Sequence, residues 1–315
     1  MKVLKSILYI ILTYSTFQLY ANPVGDNAQN SVVSSTDIAR PSVPKAVVPF
    51  EMENDAIIVT LKLNDSDRPL RFLFDTGADG MAITQALADS LELTISHQQN
   101  ASIVGTSRNI SISGGNTVHL DTLSLPGQNM AIFEDMGLQD GIIGLNLAKA
   151  FIVKVDFLQS RILLYDRGTY TPEEEEEVVP ILYTGGIIKI PCELDLLGKG
   201  AIPGDFVFDS GAGFHVVVFS PFVRKNRLLL SGFKYESQTS LSSLGHVTAV
   251  YHGKAVDFSF GGIHFSDKPI ALQASSGNDN WDAGAAGSIG IQLIKNYNFT
   301  IDIWNEKLYL KEIQK

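Results

Sequence analysis

The chain has 315 residues, 45 % hydrophobic and 18 % charged, enough apolar side chains for one large domain or two medium ones and too many for global disorder. The net charge of −10 excludes a nucleic-acid partner, since neutralising phosphates needs clusters of Lys and Arg that are not found here. With 27 glycines and little helical periodicity, the expectation is an all-β fold, mainly antiparallel, with a few short helices.

In chain order, Lys2 and Lys5 precede a short apolar run that ends at Ala21. Residues 1–21 therefore read as a secretory signal peptide, with a retained membrane anchor as the alternative. Its removal leaves a mature chain without a transmembrane segment. The single cysteine, Cys192, cannot form an internal disulfide and reads as a small buried residue. An exported chain without disulfides fits a bacterial envelope, periplasmic or extracellular. Residues 22–47, rich in Asn, Ser and Pro, read as a disordered linker.

Residues 48–170 form a first lobe. Ala56 to Leu63 is a strand, Asn64 to Asp67 a turn, and Leu70 to Phe74 a second strand that ends on Asp75. Thr84 to Leu91 reads as a short helix, and Ser102 to His119, polar and interrupted by glycines, as a hairpin. Asp140 to Ala150 is a buried strand running into a helix, and Val153 to Asp156 with Arg161 to Tyr165 closes the lobe. Residues 171–182, with Glu173 to Glu177, read as a solvated acidic connector. A second lobe, 183–315, replays the first: Phe206 to Asp209 matches the strand into Asp75, and Gly287 to Lys295 matches Gly141 to Lys149. Two similar lobes can meet about a pseudo-twofold axis, as the subunits of a symmetric dimer do.

The repeated core is FDTGAD at Phe74 to Asp79 and FDSGAG at Phe208 to Gly213. One Asp-Thr-Gly is a turn signal and no more. The weight comes from repetition with four joined features in both halves: an apolar strand before, Gly then Ala after, and a buried apolar-apolar-Gly strand further on. If the lobes face each other, Asp75 and Asp209 lie close and cannot both ionise easily, so they share a proton. The ionised partner can then take a proton from water while the protonated one polarises a peptide carbonyl. Gly77 and Gly211 let the opposing turns approach, and the hydroxyls of Thr76 and Ser210 are suited to bonding the opposite turn.

The stretches FDTGAD and DGIIGLNLAKAFIVKVDF resemble the retropepsin family of aspartic proteases, over Phe50 to Tyr165 and, more loosely, over Ile187 to Leu310. The likeness is to two fused retropepsin-type units arranged as in pepsin. It implies two lobes with a cleft between them, an endopeptidase with Asp75 and Asp209 as its catalytic pair, and Thr76, Gly77, Ser210 and Gly211 as supports. It also implies substrate contacts at Ala78, Asp79, Ala212 and Gly213, an extended peptide or protein as substrate, and no metal or cofactor. Where retroviral members carry Arg after the Gly of the helix-leading strand, this chain has Leu145 and Ile291. Asp79 is thus left without that Arg partner, and Gly213 replaces the corresponding Asp. Ser107 to Ser113 and Leu244 to His252 are the candidate flap hairpins. With Ala78 and Ala212 beside the pair, no side-chain hydroxyl is expected on the outer carboxylate oxygens, which implies activity at milder pH than pepsin's.

The six histidines (97, 119, 215, 246, 252, 264) lack an acid or Cys at metal-site spacing and read as packing or surface residues. Trp281 reads as a residue of a loop at the cleft edge. Alternatives to a monomeric endopeptidase are a non-catalytic peptide-binding relative and a protease active only as a homodimer. The short connector favours pairing within one chain, because tethering raises the effective concentration.

Overall fold

The computed structural model describes residues 42–103, 106–134, 136, 139–243, 246–274 and 284–314; for 102–103, 106–108, 241–243 and 246–247 only the backbone is described. The expected signal peptide 1–21, residues 22–41 of the expected linker, Leu244 of the second candidate hairpin, and Trp281 lie outside them.

The first lobe opens with β1 (Ala46–Glu53) and β2 (Ala56–Leu63), joined through Asn54 and Asp55. Both linking residues have positive φ, 50° and 63°, the two-residue turn that matches the twist of a hairpin and that Asn and Asp tolerate. β3 (Leu70–Phe74) pairs antiparallel with β2 and delivers Asp75. β4 (Met81–Thr84) leads into α1 (Gln85–Ser90), whose first turn is capped by the Thr84 hydroxyl. β5 (Ile95–Ile103) and β6 (Thr106–Leu120) form a hairpin closing at the Ile103/Thr106 pair. β7 (Leu123–Phe133) returns along β6 and lies parallel to β4. β8 (Gly141–Ile143) inserts between β3 and β4, parallel to the first and antiparallel to the second, then runs into α2 (Asn146–Ala150). β9 (Ile152–Asp156) and β10 (Arg161–Tyr165) close the lobe.

Two boundaries shift from their expected places. β1 begins at Ala46, inside the segment expected as linker, because Ala46 to Pro49 pair with β10. β11 (Glu177–Pro180) forms inside the expected connector, and Glu173 and Glu176 are not merely solvated. The Glu176 side chain is buried and accepts from the Tyr170 hydroxyl at 2.7 Å, while buried Lys154 pairs with both glutamates. Burial pulls the Lys154 ammonium down, yet its bond to Glu173 and the charge of Glu176 outweigh that and hold it above its usual range.

The second lobe repeats the plan. β12 (Leu182–Thr184) and β13 (Ile187–Asp195) turn through Gly185 and Gly186, with φ of 62° and 78°, and β14 (Ile202–Asp209) carries the second motif. β15 (Val216–Val218), α3 (Ser220–Lys225) and a 3-10 turn at Leu228–Leu230 follow. β16 (Tyr235–Ser243) and β17 (His246–Ala255) make the second hairpin. β18 (Asp257–Phe260), β19 (Ile263–His264) and β20 (Lys268–Gln273) extend the sheet. β21 (Gly287–Gly290) inserts between β14 and β15 as β8 does in the first lobe, then runs into α4 (Ile291–Ile294). β22 (Tyr297–Asp302) and β23 (Lys307–Glu312) end the described chain.

The lobes are joined by a shared sheet. β9 of the first pairs antiparallel with β22 of the second, giving the strand order β11-β23-β22-β9-β10-β1 across the junction. A single apolar core, from Phe72 and Phe74 through Val153 and Val155 to Phe208, Phe299 and Ile301, runs through it. The protein is thus nearly all β, in two lobes of matching plan, with four short helices among the described residues.

Candidate active site

Asp75 follows β3 and Asp209 ends β14, so each strand projects its carboxylate into the junction between lobes. Both are buried, at 1 % and 3 % exposure. Their closeness is fixed by the opposing turns: a Cβ placed on Gly77 would stand 2.6 Å from Asp209 Cγ, and one on Gly211 would stand 2.4 Å from Asp75 Cγ. Any side chain at either glycine would push the opposite carboxylate away. Each turn also holds its own aspartate, with Gly77 N–H donating to Asp75 Oδ1 at 2.8 Å and Gly211 N–H to Asp209 Oδ1 at 3.0 Å.

Thr76 and Ser210 tie the turns together through four bonds. The Thr76 hydroxyl donates to the Phe208 carbonyl at 2.7 Å and accepts from Ser210 N–H at 2.9 Å. The Ser210 hydroxyl donates to the Phe74 carbonyl at 2.9 Å and accepts from Thr76 N–H at 3.0 Å. Both hydroxyl residues are fully buried, so no water competes for these bonds. Gly144 and Gly290 back the turns from below. A Cβ there would stand 2.2 Å from the Ala78 carbonyl oxygen and 2.3 Å from that of Phe214, so the helix-leading strands can run directly under the motifs.

The two carboxyls are not equivalent. Burial raises the pKa of Asp75 well above the usual carboxylate range, and the charge of Asp209 raises it further; the N–H groups of Gly77 and Ala78 offset only part of this. Asp209 is also raised by burial, but less. The bond from Asp75 and the donors of Gly211, Ser288 and Ala212 favour its ionised form. The added Ser288 donor favours the ionised form at Asp209, which leaves Asp75 the better placed of the two to carry a shared proton.

Ser288 corrects one expectation. Its hydroxyl donates to Asp209 Oδ2 at 3.4 Å, a long bond, so one outer oxygen does have a side-chain hydroxyl. The residue next to the motif is Ala212 as expected, but β21 lies parallel to β14 and brings Ser288 to the carboxylate from beneath. The matching residue in β8 is Ile142, so Asp75 has no such donor. The expectation of milder pH therefore loses its original basis; what raises both groups is burial and, for Asp75, its neighbour's charge.

Asp79 lacks the Arg partner, as Leu145 implies, but has a cation from a different place: Lys149 of α2 reaches its Oδ1 at 2.5 Å and its carbonyl oxygen at 2.8 Å. The Tyr183 hydroxyl of the second lobe donates to the same Oδ1 at 3.3 Å. A cavity of about 240 Å³ opens beside Asp79, lined by Gly80, Gln99, Ile112, Gln128 and Lys149 among others. Ala78 and Ala212 are fully buried and Gly213 is partly exposed, so of the four expected substrate contacts only Asp79, at the cavity, and Gly213 have open space beside them.

Of the candidate flaps, Ser107 to Ser113 lie on β6 and His246 to His252 on β17, each the returning arm of its hairpin. Sequence reasoning missed Ser288, Lys149 and Tyr183. The aligned repeats carried a trace of the first two, since Ser288 breaks the match to Ile142 and Lys149 recurs as Lys295.

A family model described as aspartyl protease matches residues 59–147, the part of the first lobe running from β2 through the Asp75 turn to α2. No curated protein matches the chain. The family match supports an aspartic protease, and it falls on the lobe that carries Asp75 and the strand packed beneath it.

Proposed function

We propose that the protein is an aspartic endopeptidase of retropepsin-like type, with two fused lobes arranged as in pepsin, hydrolysing peptide bonds with water activated between Asp75 and Asp209. The observation that carries the reading is the buried pair itself, two carboxyls held face to face by glycine turns and four cross-lobe hydrogen bonds. Ionised Asp209 takes a proton from water, and the hydroxide attacks the scissile carbonyl carbon. Asp75 gives its proton to the carbonyl oxygen, forming a neutral gem-diol. Asp209 then gives its proton to the leaving nitrogen while Asp75 takes one from a gem-diol hydroxyl; the C–N bond breaks, and the pair returns to its singly protonated state. An extended substrate would lie across the junction, held by backbone hydrogen bonds, with the hairpins β5–β6 and β16–β17 as its covers and the cavity at Asp79 as a pocket for one side chain.

The working unit in this reading is one chain, because β9 and β22 already pair within it. Export to the cell envelope, with removal of residues 1–21, belongs to the same proposal; N-terminal sequencing of the mature protein tests it by finding Asn22 first. For the activity, the decisive comparison is cleavage of an unstructured peptide library by wild type and by Asp209→Asn. Cleavage by both, or by neither under any pH from acid to neutral, overturns the reading.

A further inference from the structure

We propose that the two lobes are matched by a reciprocal exchange of acid and glycine, so that each lobe accepts the other and rejects a second copy of itself. This goes beyond the catalytic reading and does not depend on it.

The strand registers define the equivalent positions. Val59 pairs with Phe72 and Ile190 with Phe206, and both phenylalanines stand three residues ahead of their aspartates. Counting back four residues from each partner makes Asp55 and Gly186 equivalent, each the second residue of its hairpin turn. Counting forward from Asp75 and Asp209 makes Asp79 equivalent to Gly213. Lys149 and Lys295 both follow the glycine of the helix-leading strand by five residues. The first lobe thus has acid at both the turn and the motif, the second lobe has glycine at both, and each lobe has the lysine.

The structure puts Gly186 and Asp79 at one end of the junction and Asp55 and Lys295 at the other, and the repeat assigns Gly213 to the second. At one end the second lobe's turn lies on Asp79, so closely that a Cβ on Gly186 would stand 2.5 Å from Asp79 Cγ. There Asp79 is bonded by Lys149 at 2.5 Å and Tyr183 at 3.3 Å. At the other end the first lobe's turn reaches α4, where Asp55 accepts from Lys295 Nζ at 2.6 Å and from the Gln292 amide. Each end therefore holds one acid and one lysine, with the acid supplied by the motif at the first end and by the turn at the second.

Like-with-like pairing breaks this count. Two first lobes would set the Asp55 turn on Asp79, where a Cβ has no room and two carboxylates would face one lysine. Two second lobes would set glycine on glycine and leave each lysine without its acid. The ion pair at Asp55 is about one-third exposed on each side and adds little by itself, so rejection rests mainly on the steric contact and on the unmatched charge. The rule also explains how a chain built from two halves of one plan assembles one way only.

The test uses the full chain and reads unfolding midpoint and light-scattering mass. Gly213→Asp places a second carboxylate at the Asp55 end and is expected to lower the midpoint; Asp55→Gly lowers it by removing a bonded acid. Asp55→Gly/Gly213→Asp gives both lobes a motif acid and a turn glycine, so every pairing becomes complementary. Its midpoint is expected above that of Gly213→Asp. After refolding at high concentration it should also show a species of two-chain mass that wild type lacks. If the double variant's loss equals the sum of the two single losses, or if its refolded mass stays at one chain, the proposal fails. Should that variant not fold, Asp55→Asn/Gly213→Asp keeps the side-chain shape and removes only the facing charge. A midpoint no higher than that of Gly213→Asp then overturns the charge matching.

Discussion

The two lobes deliver their aspartates on the same kind of strand and turn, yet surround them differently. Beneath Asp75 the inserted strand presents Ile142, and beneath Asp209 it presents Ser288, whose hydroxyl points at the carboxylate. The backbone scaffold is thus close to symmetric while the electrostatics are not. A symmetric pair would leave the shared proton undecided, whereas the added Ser288 donor favours the ionised form of Asp209. The same contrast appears at the periphery, where an acid sits in the motif of one lobe and in the turn of the other.

The most severe way to challenge the comparison is to remove one carboxylate at a time. Asp75→Asn and Asp209→Asn are each expected to reduce kcat by about 10³-fold or more, since neither half can supply both base and acid. Peptide cleavage measured against wild type checks this, and substantial activity in either variant would mean that the lobes do not share one site. Next comes the cross-lobe tie. Thr76→Ala strands the Phe208 carbonyl and Ser210 N–H, and Ser210→Ala strands the Phe74 carbonyl and Thr76 N–H. Each buried group left unpaired costs about 1–3 kcal/mol, and the two variants should lose similar stability in urea titrations. A large inequality would show that the tie is less symmetric than its geometry.

A third effect concerns stability and pH. Burial holds both aspartates above their unfolded pKa values, so the native state binds protons more tightly than the unfolded chain. The dyad's contribution is then most favourable in acid and is lost as pH rises from the unfolded value through the raised folded values. Asp75→Asn removes a buried group that resists ionisation, so its melting temperature should exceed wild type's at about pH 7 and approach it at about pH 4. A variant less stable than wild type at neutral pH would overturn this sign. The smallest effect is expected at Ser288. Ser288→Ala removes a long bond to ionised Asp209 and should move the acidic limb of kcat/KM to higher pH. Ile142→Ser, the reciprocal change, should move the basic limb to lower pH by favouring ionised Asp75. Unmoved limbs would mean that Ser288 only packs.

Much of the fold was legible because it rests on local pattern. The apolar strands into Asp75 and Asp209, the helix start at Thr84 and the buried Gly141 to Ile143 strand all follow from periodicity and turn chemistry within short windows. The departures came where distant segments meet. Ala46 and Val47, and Glu177 to Pro180, look like linker until β10 and β23 offer them ladder partners. The five glutamates look solvated until Lys154, two strands away, takes two of them.

At the candidate site, the two aspartates, the glycines that must approach and the hydroxyls that must cross could be read from the chain, because repetition of one motif implies that its copies meet. Which other side chains arrive there depends on the folded arrangement. Ser288 comes by a parallel strand insertion, Lys149 by a helix one turn beyond its strand, and Tyr183 and Asp55 from hairpins of the opposite lobe. Those approaches depend on strand register and lobe packing, which couple residues far apart in the chain and leave no periodic trace in it.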